Sequence, residues 1–319
     1  MHKPKINSRF YVLRKLKRQL SDYLQTLRLV RSPNFRYLRF APVGHFYSPL
    51  PDHKNIDLEA ATLFDRSAKT IAGIDLNEDL QIGLCERFSG YMNEIPFGDE
   101  PSESARYYLD NPYFSYGDGI SLYLMMREFQ PAQIIEVGSG YSSALMLDTD
   151  DAFFDGSTRI TFIEPYPERL NALLSDDDRR HKRILEQKVQ QVSLEAFERL
   201  EANDILFIDS SHVMKAGSDL SYLMFSVLPV LKPGVIIHFH DVMWPFEYPR
   251  KWFQNGRAWN EAYVLRSFLM HNKAYEILFF NSWLEEHQRA VLKRFLPLML
   301  RQPSSKITFG NSSLWIRKK

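Results

Sequence analysis

One cysteine in 319 residues is the first shortage. A lone Cys85 excludes an intrachain disulfide and a structural zinc site built on thiolates. It fits a reducing compartment and reads as a small buried apolar residue. Long apolar runs are missing too: nothing approaches the roughly 20 residues that span a bilayer. The basic N-terminal stretch lacks the apolar segment of a secretory signal, so a cytoplasmic protein is expected. Net charge is also nearly absent, with 40 Lys and Arg against 39 Asp and Glu. Bulk electrostatics therefore exclude the whole chain as a nucleic-acid binder. The last shortage is local. Residues 134–143 read IIEVGSGYSS, and Ser143 stands where a dinucleotide fingerprint would place its third glycine.

What charge there is lies unevenly. Eleven lysines and arginines from Lys3 to Arg39 face only Asp22. Ser8 to Arg31 reads as a helix, with Leu13, Leu20 and Leu27 at one seven-residue spacing and Leu16, Tyr23 and Val30 at another. Three readings stand for it: a helix docked on its own domain, a short self-associating coil, or a basic helix at an anionic membrane surface. A connector rich in proline and aromatics follows (FRYLRFAPVGHFYSPLPD) and reads as extended and ordered. These features divide the chain into residues 1–55 and a main domain, 56–319. The latter comprises a helical lead-in over 56–130 and a core over 131–319. Within the lead-in, Asp57 to Met92 is expected to be helical, with Leu80, Ile82, Leu84 and Phe88 buried.

From Gln133 onward, β-branched runs alternate with helical patterns. The strands read QIIEV, RITFIE, RILEQ, DILFID, GVIIHFHD, YEILFF and SLWIRK. Helices are expected from about Tyr141 to Leu147, from Pro167, over Lys215–Leu231, over Ala258–His271 and around Leu284–Leu300. This alternation predicts an α/β fold with a mostly parallel sheet and helices on both faces.

In such sheets, ligands bind beyond the carboxyl ends of the strands. Four strands here end in Glu136-Val137-Gly138, Glu164, Asp209 and His240-Asp241. Gly138 and Gly140 permit a tight turn and a close ligand, and Glu164 is placed to accept hydrogen bonds from ribose hydroxyls.

The series EVGSGYS, FIEPYP, LFIDSSH and VIIHFHD resembles the class I S-adenosylmethionine-dependent methyltransferases. It is most similar to a bacterial O-methyltransferase-like group, with a methyltransferase-24-type domain, associated with sugars, glycans or natural products. DNPYFSYGDG, GHFYSPLPD, WPFEYP and SLWIRK fit the same group, so the resemblance covers most of the chain from Gly44. It implies a Rossmann-like fold and S-adenosylmethionine as cofactor. Glu136, Gly138, Ser139, Gly140 and Ser142 would lie along the methionine and ribose portions, with Glu164 on the ribose and Asp209 nearby. In metal-dependent relatives, residues at the places of Asp209 and Asp241 ligate Mg2+. A further oxygen ligand is expected after the second, where this chain has Val242.

Methyl transfer to an alcohol needs a base or a metal ion to take the hydroxyl proton. His212, three residues after Asp209, is the candidate base, with Asp209, His240 and Asp241 as further catalytic candidates. Each histidine has a plainer reading as a locally bonded residue, and His238 reads as structural. After the fifth strand, WPFEYPRKWFQNGRAWNE supplies Trp244, Tyr248, Trp252 and Trp259 for stacking on an acceptor. Arg250 and Arg257 are candidates for holding a carboxylate or phosphate. Tyr113, Phe114 and Tyr116 are candidates to close over the cofactor, and Ser115 or Asp118 to cap the next helix. The expected function is O-methylation of a sugar, glycan or small natural product. The alternatives are a metal-dependent hydroxylase-like enzyme and a non-catalytic partner in a glycan-assembly complex. Any peripheral membrane contact or self-association would run through the basic N-terminal helix.

Overall fold

The computed structural model describes residues 20–304 and 310–319, apart from 22, 25 and 26. Most of the heptad pattern over Ser8–Arg31 lies outside the described residues; 27–31 are helical. The chain forms two compact units, Met1–Leu63 and Phe64–Lys319. The first contains α1 (Phe35–Phe40), α2 (His53–Leu58) and α3 (Ala60–Leu63). Asp52 caps α2 by accepting from the Lys54 amide at 2.9 Å.

The second unit opens with 64–77, which is not helical as expected. Asp65 and Asp75 accept from the amides of Ser67 and Asn77, two residues on, at 2.8 and 2.9 Å. Such local bonds offer the backbone an alternative to the helix. Helix α4 (Glu78–Phe88) then buries Gln81, Leu84, Cys85 and Phe88, at the i, i+3, i+4, i+7 spacing of one face. Leu80 and Ile82, expected inside, are only half-buried. Gln81 takes the buried place because it bridges two backbones: its amide donates to Leu76 and its carbonyl accepts from Phe280.

Helix α5 (Tyr116–Phe129) is buried along most of its length. The sheet follows: β1 (Gln133–Val137), α6 (Tyr141–Phe153), β2 (Arg159–Ile163), α7 (Glu168–Leu173), α8 (Asp176–His181), β3 (Arg183–Leu185), α9 (Leu194–Glu198) and β4 (Ile205–Ile208). Next come α10 (Asp219–Tyr222), α11 (Leu228–Val230), β5 (Ile236–Phe239), α12 (Arg250–Gln254) and α13 (Glu261–Leu269). The chain closes with β6 (Tyr275–Phe280), α14 (Asn281–His287), α15 (Arg289–Phe295) and β7 (Leu314–Lys318). The long helix expected over Lys215–Leu231 starts only at Asp219, after Gly217 in a left-handed turn. It passes through a π-helical turn at Leu223–Val227 before Pro229, which has no N–H to give to the α ladder.

The seven strands lie in the order β3-β2-β1-β4-β5-β7-β6. β1 to β5 pair in parallel, while β7 inserts antiparallel between β5 and β6. β4 and β5 are buried throughout, as a sheet covered on both faces requires. Each fully buried Ile or Phe there contributes on the order of 1.5–3 kcal/mol. The order turns back at β1/β4, which places the crevice beyond the ends of these strands. Among the described residues, no helix is long and apolar enough to cross a membrane.

Candidate active site

The first wall of the crevice is the turn after β1. Gly138 has φ +81°, and a Cβ there would stand 2.0 Å from the Asp209 carbonyl oxygen. Only glycine lets the ends of β1 and β4 approach so closely. Gly140 precedes α6, and a Cβ there would meet the Arg169 side chain at 3.1 Å. Glu136 faces inward rather than into the crevice. It is fully buried and accepts from the hydroxyls of Ser142 (2.5 Å) and Ser143. Burial pushes its carboxyl up to about 8, against the pull of the serine hydrogen bonds. Glu136 and Ser142, expected beside the cofactor, thus spend their side chains on each other and shape the turn. Ser143 also accepts from the Gly140 amide at 2.9 Å, so the residue replacing the third glycine holds the helix start.

A cavity of about 560 Å³ opens over this turn, lined by Gly138, Glu164, Tyr166, Val189, Asp209 and Ser218 among others. Glu164 accepts from the amides of Ser139 and Tyr166, at 3.1 and 2.8 Å, which aims its carboxylate at the cavity mouth. The Ser139 hydroxyl is buried beside Glu136, whose charged form it helps to favour. Nearby, Tyr113 stacks toward Tyr141 at 6.1 Å, and the Arg169 guanidinium lies 4.1 Å over Tyr113. Of the three aromatics expected to cover the cofactor, only Tyr113 is exposed. Phe114 packs inside against Phe207 and His240, and Tyr116 bonds Asp99 through its hydroxyl. Neither Ser115 nor Asp118 caps α5 in the expected way. Ser115 precedes the helix but its hydroxyl donates to Leu109. Asp118 accepts from the Ser312 amide and the Ser313 hydroxyl, both at 2.7 Å, tying α5 to the lead-in of β7.

The second wall gathers at the ends of β4 and β5. His212 and Asp241 both adopt left-handed backbone, with φ +59° and +56°. His and Asp tolerate this region better than most residues, and such strain is commonest at functional sites. His212 is buried, with its ring 4.2 Å from that of Trp259. Its Nδ1 lies 2.7 Å from Glu261 Oε2. Its Nε2 lies 3.3 Å from Asp209 Oδ1 and 3.8 Å from Asp241 Oδ2. Burial alone would pull the imidazole pKa down, but Asp209 and Glu261 outweigh it and hold the ring well above the usual histidine range. Asp209, opposed likewise by burial, falls below the carboxylate range beside His240, His212 and Arg169.

Glu261 is the residue that sequence reasoning missed. It is buried at the first turn of α13, and Ser210 donates to its other oxygen at 3.0 Å. Its only sequence signal is an acid closing the aromatic stretch after β5. Ser312, also missed, lies within 3.2 Å of both Asp118 and Asp241. His240 is buried beside Asp241, 3.8 Å away, and its Nδ1 has no partner. Its pKa rises despite burial, because Asp241, Asp209 and Asp118 surround it. His238 is structural as expected: it stacks on Phe207 at 3.9 Å and bonds the Ser313 hydroxyl at 2.9 Å.

The acceptor loop differs from its sequence reading. Trp244 is core, donating to the Ala68 carbonyl, and Tyr248 and Trp252 are buried. Only Trp259 reaches the site. A magnesium site at Asp209 and Asp241 does not fit either. The His212 ring nitrogen faces both carboxylates, and Val242 is buried. Among the described residues no group of three metal-ligating side chains forms.

Residues 135–242 match the family model described as a methyltransferase domain. An uncharacterized protein of Archaeoglobus fulgidus is 32% identical over 170 residues, covering 51% of this chain and 75% of that protein. Solved structures resemble the chain loosely. The O-methyltransferase TomG from Streptomyces achromogenes, involved in tomaymycin synthesis, is 13% identical, with 83% and 96% of the two chains covered and a TM-score of 0.41. The Podospora anserina methyltransferase PaMTH1 is 17% identical, with 85% and 99% covered and a TM-score of 0.38. The family match covers the ends of β1, β2, β4 and β5 that carry Gly138, Glu164, Asp209, His212 and Asp241, and the chain belongs to the class I S-adenosylmethionine-dependent methyltransferases.

Proposed function

We propose that the enzyme methylates a hydroxyl of a sugar, glycan or small natural product, with His212 as the base. The observation that carries this is the buried His212–Glu261 pair beside the cavity at Gly138, Glu164 and Asp209. The cavity suits S-adenosylmethionine: it opens over the Gly138–Gly140 turn, and the Glu164 carboxylate is aimed at its mouth by the Ser139 and Tyr166 amides. Glu164 would hold the ribose hydroxyls, and the Gly138–Gly140 turn would lie along the methionine portion. Bound there, the cofactor supplies an electrophilic methyl group on a sulfonium.

The chain's own residues do the rest. Glu261 accepts from Nδ1–H of His212, which leaves Nε2 as the atom that exchanges a proton with the acceptor. Asp209 and Asp241 stabilise the imidazolium that results, and Trp259 keeps water off the ring. At rest the surrounding carboxylates favour the protonated ring. The neutral base therefore grows with pH.

Calorimetric titration with S-adenosylmethionine tests the cofactor site, and Glu164→Ala is expected to weaken binding at least tenfold. Equal affinity of the variant would refute the assignment of Glu164. Release of S-adenosylhomocysteine in the presence of hydroxylated acceptors tests the reaction, and His212→Gln should reduce it about 10²–10⁴-fold. Peripheral contact with an anionic membrane remains our proposal for the first unit. There Tyr37, Phe40, Phe46 and Tyr47 are exposed next to Arg36 and Arg39.

A further inference from the structure

The acceptor side of the site carries one cation that the methyl-transfer chemistry does not use. Arg257 lies between α12 and α13, with its guanidinium 4.8 Å over the Trp252 ring and 5.2 Å over Trp259. It makes no ion pair among the described residues, although it is half-buried. The other face of the same cluster is the catalytic one, since Trp259 also packs on the His212 ring at 4.2 Å. One indole thus separates the arginine from the base.

This placement is built rather than accidental. The Asn260 and Glu261 amides both donate to the His212 carbonyl, at 3.1 and 3.2 Å. The Met214 amide donates to the Asn260 side chain at 2.6 Å, and the Asn260 amide group donates back to the Met214 carbonyl at 3.3 Å. The Arg257 amide donates to the Trp252 carbonyl at 3.0 Å. The loop that carries the arginine is therefore stitched to the loop that carries the base. A guanidinium held over aromatic rings spends none of its N–H donors on them. Such a preorganised fork, lacking a protein carboxylate, matches the two oxygens of a carboxylate or phosphate. The three carboxylates around His212 would repel an anion placed directly at the base. The anion is instead recognised one ring away from the reacting hydroxyl.

We propose that the acceptor is an anionic hydroxy compound whose carboxylate or phosphate is held by Arg257 while its hydroxyl faces His212. This rests on the reading of His212 as the base. Its discriminating group is the fork of Arg257, held one indole away from the base.

The test uses matched pairs on the full chain with S-adenosylhomocysteine present: methyl glucoside against methyl glucuronide, and glucose against glucose 6-phosphate. Binding is read by calorimetry and, separately, turnover with S-adenosylmethionine by release of S-adenosylhomocysteine. The anionic partner of at least one pair should bind tenfold or more tightly than its neutral match, in the millimolar range or better. The pair that responds distinguishes carboxylate from phosphate. Arg257→Gln should abolish that preference and Arg257→Lys should restore part of it, with cofactor affinity and melting temperature unchanged. Equal or absent binding of neutral and anionic partners overturns the proposal, as does a preference that survives in Arg257→Gln. Anion binding lost in Arg257→Gln but never accompanied by turnover would instead sink the reading of His212 as base and leave the anion site standing.

Discussion

Removing the charge of Glu261 should shift the pH dependence of the reaction in a direction that no purely structural role would produce. The carboxylate lies 2.7 Å from Nδ1 of His212, and both groups are buried. Two unit charges about 4 Å apart interact by about 4 kcal/mol at an effective dielectric of 20. Asp209 and Asp241 remain in Glu261→Gln, so the His212 pKa should fall without losing all of its elevation. The rising limb of kcat/KM against pH should move acidward with it. The plateau should drop, since a weaker base removes the acceptor's proton less readily. Stability carries the same sign. The folded His212 pKa lies above that of the unfolded chain, so the pair stabilises fully below about pH 6.5, and the benefit is lost as pH rises through the folded value. The melting-temperature gap between the wild type and Glu261→Gln should therefore be widest in acid and close in alkali. Proton NMR of the His212 ring gives an independent reading of the same pKa. An unmoved pH limb, together with an unchanged ring titration, would refute the dyad.

Other perturbations give sharp outcomes. Gly138→Ala forces a Cβ to within 2.0 Å of the Asp209 carbonyl at a left-handed φ, so the variant should lose at least about 3 kcal/mol on chemical denaturation; near-native stability would refute the tight β1/β4 approach. Glu136 is protonated in the fold up to about pH 8, whereas an unfolded glutamate ionises near 4.5. Wild-type stability should fall by up to about 1.4 kcal/mol per pH unit across that window, and Glu136→Gln should flatten the slope; identical slopes would refute it. Asp118→Asn loosens the tie between α5 and the lead-in of β7 at Ser312 and Ser313, so its melting temperature should fall; an unchanged melt would show that the buried network contributes nothing. Sedimentation with anionic vesicles should carry the full chain at low salt and release it at high salt, and Phe40→Ser with Phe46→Ser should weaken this; equal sedimentation with neutral vesicles would refute the electrostatic part.

The strands and their polar ends were legible because each strand is a short β-branched run and period alone reveals it. The crevice acids followed from topology: parallel strands place their carboxyl ends on one side. What pattern could not show is which way a strand-end side chain turns. Glu136 reads in sequence like Glu164, yet one is folded under its own turn by two serine hydroxyls and the other faces the cavity. The same holds for the tryptophans. Trp244 and Trp259 sit in one aromatic stretch, and only packing against β6 and the Ala68 segment makes Trp244 core.

By itself, then, the sequence determined the order of strands and helices, the glycine turn after β1 and the acids at the strand ends, because these depend on local period and backbone freedom. The tertiary structure decided the chemistry of His212. Glu261 lies 49 residues further along the chain, and only the stitching of residues 257–261 to the loop after β4 brings its carboxylate to the ring. Sequence spacing has no means of recording that juxtaposition, which arises where two loops from different strands share one buried space.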